Sequence, residues 1–289
     1  MADLEQTCAA LNADEPLAGS AQEATALVYV EHLGPWCVGA LDALDPAYAA
    51  ELSTLDAAVG LLRRPGSQWD ASTGLPARPW AIVATAGLVV TAQFDGPPPA
   101  SALAQCLAEV SRGEVPSGWS AESWLVLVCT HAKRDACCAR LGRPLLTALA
   151  EATDPERVWE TTHLGGHRFS PTCLALPSQV AYGRVPSDRV PELVAALDAG
   201  EVVPDLMRGR TTYGPALQSA EIVARQLHDV RGPLELVSYT QVDATTTATW
   251  RAGDRTLTVM VEERPGRPRK VSCSKDKLEA KPTYELVGS

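Results

Sequence analysis

The sequence predicts an α/β protein made of two consecutive compact units and a C-terminal β-hairpin extension. Three observations carry that expectation. The chain has 289 residues, more than the roughly 100–200 of a typical single core. Its hydrophobic pattern yields the order β-α-β-β-α, followed by β-α-β-loop-β-β-α. After residue 230 the pattern changes to strict alternation with no helical period.

In the first unit, residues 26–32 (ALVYVEH) form a short valine-rich apolar run that reads as a buried strand, closed by the Gly-Pro turn signal of LGPWC. Residues 45–63 carry Tyr48, Leu52, Leu55, Val59 and Leu62 at three-to-four spacing, which predicts a helix with Asp45 as N-cap and Pro46 at its first position. PWAIVATAG and LVVTAQF read as paired strands, and residues 98–113 return to helical spacing between prolines and Gly113. GEVPSGW, residues 113–119, is the expected linker.

The second unit opens with WLVLVC (124–129), a buried strand ending at Cys129. A helix is expected over RPLLTALAEATD (143–154), with Pro144 in its first turn, then a strand at RVWETT. HLGGHRFSP is a loop, TCLALP and VAYGRV a hairpin, and VPELVAALDAG a helix stopped by Gly200. Residues 213–230 form a further helix, and residues 239–263 alternate about Ala-Gly-Asp as a long hairpin. A β-α-β-β-α order with a cysteine loop between first strand and first helix matches a thioredoxin-like domain, and the first unit reads as a degenerate copy with VYVEHLGPWC in place of the loop. The expected division is 1–118, a degenerate thioredoxin-like α/β domain; 119–230, the domain with the chemistry; and 231–289, a β-hairpin extension with a basic tail.

Composition narrows the function. The balance of 46% hydrophobic and 21% charged residues is that of a folding globular chain, and the net charge of -10 argues against a nucleic-acid binder. Only RPGRPRKVSCSKDK is locally basic. The acidic N-terminal stretch lacks a signal-peptide pattern, and no apolar run reaches the ~18 residues of a membrane span, so a cytoplasmic protein with no membrane partner is expected. There, thiols stay reduced, and the eight cysteines suggest metal ligation, catalysis or core filling rather than a disulfide framework.

Three cysteines crowd the segment VLVCTHAKRDACCARLG, residues 126–142. One histidine pair accompanies them: His163 and His167, with Gly165 and Gly166 between them allowing a tight turn of both rings toward one ion. Loops after the first and second strands of a β-α-β unit emerge at the same carboxyl edge of a sheet, where Cys129 and Cys138 could meet the histidines. Helix amides near Asp135, with Lys133 and Arg134, would stabilise anionic sulfur. Cys137 is an alternative to Cys138, because neighbours in a loop cannot be separated by pattern. His131 could hydrogen-bond a sulfur, and Arg168 and Arg184 could face the site. His32 and His228 read as structural, and Cys8, Cys37, Cys106, Cys173 and Cys273 read as too widely spread for a second site.

The segments CTHAKRDACCARLGRPL, VWETTHLGGHRFSPTCLALPSQVAYGRV and RGRTTYGPALQSAE closely resemble the sucrase/ferredoxin-like family of bacteria and fungi. The resemblance spans about residues 20–230. It implies a thioredoxin-like [2Fe-2S] ferredoxin whose cluster is held in the pattern C-x8-C with H-x3-H, here Cys129, Cys138, His163 and His167. The family's usual glycine after CTH is Ala132 here, a departure that touches no ligand. Nothing marks the paired carboxylates a sucrase would need.

Two thiolates and two neutral imidazoles leave an oxidised cluster near neutral, whereas four thiolates leave it dianionic. The expected potential therefore lies toward the Rieske range, about -150 to +300 mV, rather than the ~-400 mV of all-cysteine plant-type clusters. Protons on the imidazoles would couple to the electron. The implied function is a single-electron carrier with a redox partner protein, as monomer or homodimer. Two other readings stay beside it: a zinc-stabilised Cys2His2 interaction module, against which C-x8-C is longer than zinc-knuckle spacing, and a cluster-dependent small-molecule reductase. A thiol-disulfide enzyme would want C-x-x-C, which is absent from the sequence.

Overall fold

The computed structural model describes residues 7–66 and 78–289, so the first six residues of the acidic N-terminal stretch lie outside it. Thr7 caps the short helix α1 (Cys8–Leu11), its side chain accepting from the Ala10 amide. Strand β1 (Ala26–Glu31) is buried along its whole length. Helix α2 (Pro46–Leu52) starts as expected, with Asp45 accepting from the Ala47 and Tyr48 amides.

The helix predicted over 45–63 ends at Leu52. Ser53 and Thr54 turn their hydroxyls back onto the Ala49 and Glu51 carbonyls, and residues Ala58–Arg63 become strand β2. The three-to-four spacing there was also compatible with a short buried run. Gly60 is unfavourable inside a helix, and parallel pairing to β1, Val28 opposite Val59, decides the outcome. Strands β3 (Trp80–Thr85) and β4 (Leu88–Gln93) follow as an antiparallel pair, then α3 (Ala100–Val110) and the short β5 (Ser120–Ala121).

The second unit contains β6 (Leu125–Cys129), α4 (Ala136–Ala152), β7 (Val158–Thr161), β8 (Cys173–Leu176), β9 (Val180–Tyr182), α5 (Val190–Asp198), β10 (Met207–Arg210) and α6 (Pro215–His228). Helix α4 begins at Ala136, not near Arg143, because Asp135 is an N-cap that accepts from the Cys137 amide. Gly142 and Pro144, which looked like a helix start, lie inside it. The extension comprises β11 (Glu235–Val242), β12 (Thr245–Ala252), β13 (Arg255–Arg264), β14 (Pro268–Lys270), β15 (Leu278–Ala280) and β16 (Thr283–Gly288). Strands β12 and β13 form the hairpin turning at Gly253-Asp254, and β11 and β16 complete a four-stranded sheet. Trp250, Val259 and Val261 of that sheet pack on α6 through Ala220 and Ala224.

One ten-stranded mixed sheet runs through both halves in the order β10-β9-β8-β6-β7-β2-β1-β3-β4-β5. Each half contributes the same arrangement, β2-β1-β3-β4 and β7-β6-β8-β9, with the first two strands parallel and the rest antiparallel. The halves join through β2 and β7, equivalent strands that pair antiparallel only at their last residues, Leu62 with Thr161 and Arg63 with Glu160. That limited overlap brings the carboxyl ends of β1 and β6 toward a common seam. Arg63 bonds Glu160 there at 2.9 Å and lies over the Trp36 ring, and Thr130 donates to the same carboxylate.

Behind the sheet, α6 carries a buried charge triad. Glu221 is fully buried between Arg210 and Arg225, each bonded to it at 2.9 Å. The remaining guanidinium donors reach backbone carbonyls of Ser178, Val230 and Gly232.

Candidate metal centre

Cys129 is the last residue of β6, and its register partner on parallel β7 is Thr161, so the residues that follow each strand leave the sheet side by side. Helix α4 lies directly against the end of β6 because Gly142 has no side chain: a Cβ there would collide with the Cys129 carbonyl. Cys138 stands one helical turn before Gly142 on the same face. From the β7 side comes His163. The Sγ atoms of Cys129 and Cys138 are 3.9 and 3.7 Å from its Nδ1, and the three donor atoms lie within 4.8 Å of one another.

His167 stands beside this group and not inside it. Its ring is 5.2 Å from that of His163 and tilted by 31°. Its Nε2 is 3.7 Å from Asp135 Oδ2, while its buried Nδ1 has no hydrogen-bond partner among the described residues. A carboxylate on one ring nitrogen and a bare second nitrogen is the pattern of a metal-ligating histidine. Gly166 makes the loop possible: its φ of +64° is a left-handed conformation, and a Cβ would strike the Arg208 guanidinium.

Arg208, which drew no attention in the sequence, is the cation beneath the loop. It is 1% exposed, donates to the Gly165 carbonyl at 3.0 Å and to Ser20, and lies under Phe169. Burial lowers its pKa to about 10, the Arg168 charge adding to the effect and the Cys129 and Cys138 sulfurs opposing it. Its signal was the RGR segment, unreadable until the fold sets β10 near the histidine loop. Arg168 and Arg184 hold residues 12–15 instead of facing sulfur: Arg168 forks onto Glu15 at 2.7 and 2.9 Å, and Arg184 donates to the Asn12 carbonyl.

The two sulfurs share their environment unequally. The hydrogen bond with Cys138 holds the Cys129 thiol well below its usual value despite full burial, with His163 acting in the same direction. That contact, with burial, pushes Cys138 up. Burial lowers the His167 pKa, with Asp135 opposing. His131 turns away from the sulfurs, its Nε2 hydrogen-bonding the Cys37 carbonyl at 2.6 Å across the seam and its ring meeting Trp36 edge-on. A cavity of about 270 Å³ opens beside the site, lined by Tyr29, His131, Arg134, Thr162 and His163 among others.

Cys137 does not share the site of its neighbour. Successive helical residues point about 100° apart, and Cys137 turns to Cys8 and Cys273 at 3.4 and 3.2 Å. The expectation that Cys8 and Cys273 are too far apart to act together is therefore corrected: chain folding closes a 265-residue separation to 3.5 Å between their sulfurs.

The family model for sucrase/ferredoxin-like proteins matches residues 49–209, more than half of the chain. The chain belongs to the sucrase/ferredoxin-like family. No curated protein and no solved structure matches it. The stretch shared with the sucrase/ferredoxin-like family contains Cys129, Cys138, His163, His167 and Arg208, and stops short of Cys8 and Cys273. No helix among the described residues is long and apolar enough to cross a membrane.

Proposed function

We propose that this chain is a single-electron carrier that holds one [2Fe-2S] cluster through Cys129, Cys138, His163 and His167. The observation that carries the reading is the convergence, within 4.8 Å, of two thiols from the end of β6 and the first turn of α4 and an imidazole from the β7–β8 loop, beside a second imidazole whose buried Nδ1 is bare. Membership of the sucrase/ferredoxin-like family supports it. The repeated strand order agrees with a thioredoxin-like unit over 119–230, a degenerate one over 1–118 and an extension over 231–289.

When bound, the cluster supplies one-electron redox chemistry. The residues do the rest. Cys129 and Cys138 contribute anionic sulfur on the buried side, next to the Arg208 cation. His163 presents Nδ1 to the sulfurs, which leaves Nε2 to hold a proton. His167 has Nε2 3.7 Å from Asp135 Oδ2, which leaves the unpartnered Nδ1 as the nitrogen available to the cluster. The acidic chain, net -10, suits docking on the basic face of a reductase or acceptor in the cytoplasm, as monomer or homodimer.

The test is iron and acid-labile sulfide analysis of anaerobically purified protein, with visible and electron-spin spectra before and after reduction. Equal iron and sulfide with a reducible spectrum is expected. No iron or sulfide after attempted reconstitution, with zinc on these four residues, would overturn the reading in favour of a zinc-braced interaction module. His163→Cys is expected to retain the cluster and lower its potential by on the order of 100 mV, toward the all-cysteine value. An unchanged potential removes His163 from the ligand set. The cavity beside His163 favours a second reading, a reductase acting on a small molecule there, for which turnover with a chemical electron donor and no protein acceptor is the deciding assay.

A further inference from the structure

We propose that Cys8, Cys137 and Cys273, with Asp135, form a second metal site that binds one zinc ion and staples both ends of the chain to the loop carrying the first site. The three sulfurs form a closed triangle with edges of 3.4, 3.2 and 3.5 Å. A disulfide would require about 2.05 Å. Sulfurs sharing a tetrahedral zinc at 2.3 Å stand about 3.8 Å apart, and this triangle is slightly tighter, so an ion would sit on the order of 1 Å out of its plane. All four donor atoms lie within 4.8 Å of one another.

The fourth donor is Asp135. Its Oδ1 is 3.8 Å from Cys8 Sγ, and the carboxylate is already oriented by three donors: the Cys137 amide, the Cys273 amide and the Ser272 hydroxyl. The Cys8 amide donates to Cys273 Sγ at 3.3 Å, the backbone-to-sulfur bond that stabilises thiolate ligands.

The staple has a structural purpose. Cys8 belongs to the segment whose Glu15 and Asn12 meet Arg168 and Arg184 under the histidine loop, and Cys273 follows Lys270, whose carbonyl accepts from Asn12. Asp135 touches this site and, at 3.7 Å, His167 of the other. Asp135 thus stands between the two groups of donors, held by its own amide and hydroxyl bonds whether or not the ion is bound.

Metal analysis of the full chain tests this independently of the electron-carrier reading. Wild-type protein exposed to zinc and dialysed should retain about one zinc per chain. Cys8→Ser and Cys273→Ser should each lose it while keeping the wild-type iron and sulfide content, and Cys138→Ser should keep the zinc. In the wild type, Cys8 and Cys273 should resist alkylation until a chelator is added, an arm that decides the matter even where a variant fails to fold. Zinc absent from wild type, zinc retained by both Cys8→Ser and Cys273→Ser, or alkylation indifferent to chelator would overturn the proposal. Zinc bound in a Cys8-dependent way without any iron or sulfide would uphold it while rejecting the [2Fe-2S] reading.

Discussion

Cys138→Ser is expected to strip the protein of the proposed cluster's iron, sulfide and visible colour, whereas Cys137→Ser should leave all three in place. The expectation follows from the direction of two neighbouring side chains on the first turn of α4. Cys138 Sγ faces His163 Nδ1 at 3.7 Å and shares the pocket of Cys129, while Cys137 Sγ faces Cys8 and Cys273. A serine hydroxyl is a poor substitute for a thiolate toward a soft metal. Both positions are fully buried and both variants keep the Asp135 cap, so the helix should form in each. Iron and sulfide quantitation of the two variants side by side gives the answer, and the reverse result would move the ligand to Cys137.

Glu221→Ala should destabilise the fold by about 3–5 kcal/mol, because it leaves two guanidiniums buried without their shared counter-charge. Arg225 is 1% exposed and Arg210 packs beside it, with Glu221 accepting from both. The triad binds α6 to β10, the edge strand of the sheet, two residues from Arg208 on the same strand. Denaturant unfolding followed by circular dichroism measures the loss. Glu235→Ala, which breaks an exposed pair with Arg251, should leave the midpoint unchanged. Equal behaviour of the two variants would mean that α6 is held by its apolar contacts alone.

Local chemistry made much of this legible in the sequence. The valine-rich runs at 26–32 and 124–129 are strands because both faces are covered, and Asp45-Pro46 starts a helix because cap and ring geometry are set by adjacent residues. The donors Cys129, Cys138 and His163 were readable because parallel strands deliver their following loops to one edge. What depended on distant pairing was not readable. Residues 58–63 are a strand only because β1 and β7 flank them, and Asp135 caps α4 in competition with a more conspicuous Gly-Arg-Pro signal downstream. Arg208 and the meeting of Cys8 with Cys273 arise from chain closure over long separations, for which no local pattern exists.

The seam between β2 and β7 gives the site two unlike sides. On one, Tyr29 of the first half is buried near Cys129, which is itself 1% exposed. On the other, His163 and His167 are only half-buried. For an electron carrier that asymmetry assigns a direction. Tunnelling falls steeply with distance, so under the proposed reading the imidazoles would be the terminal, and a redox partner would be expected to dock on the histidine face to exchange charge at a useful rate.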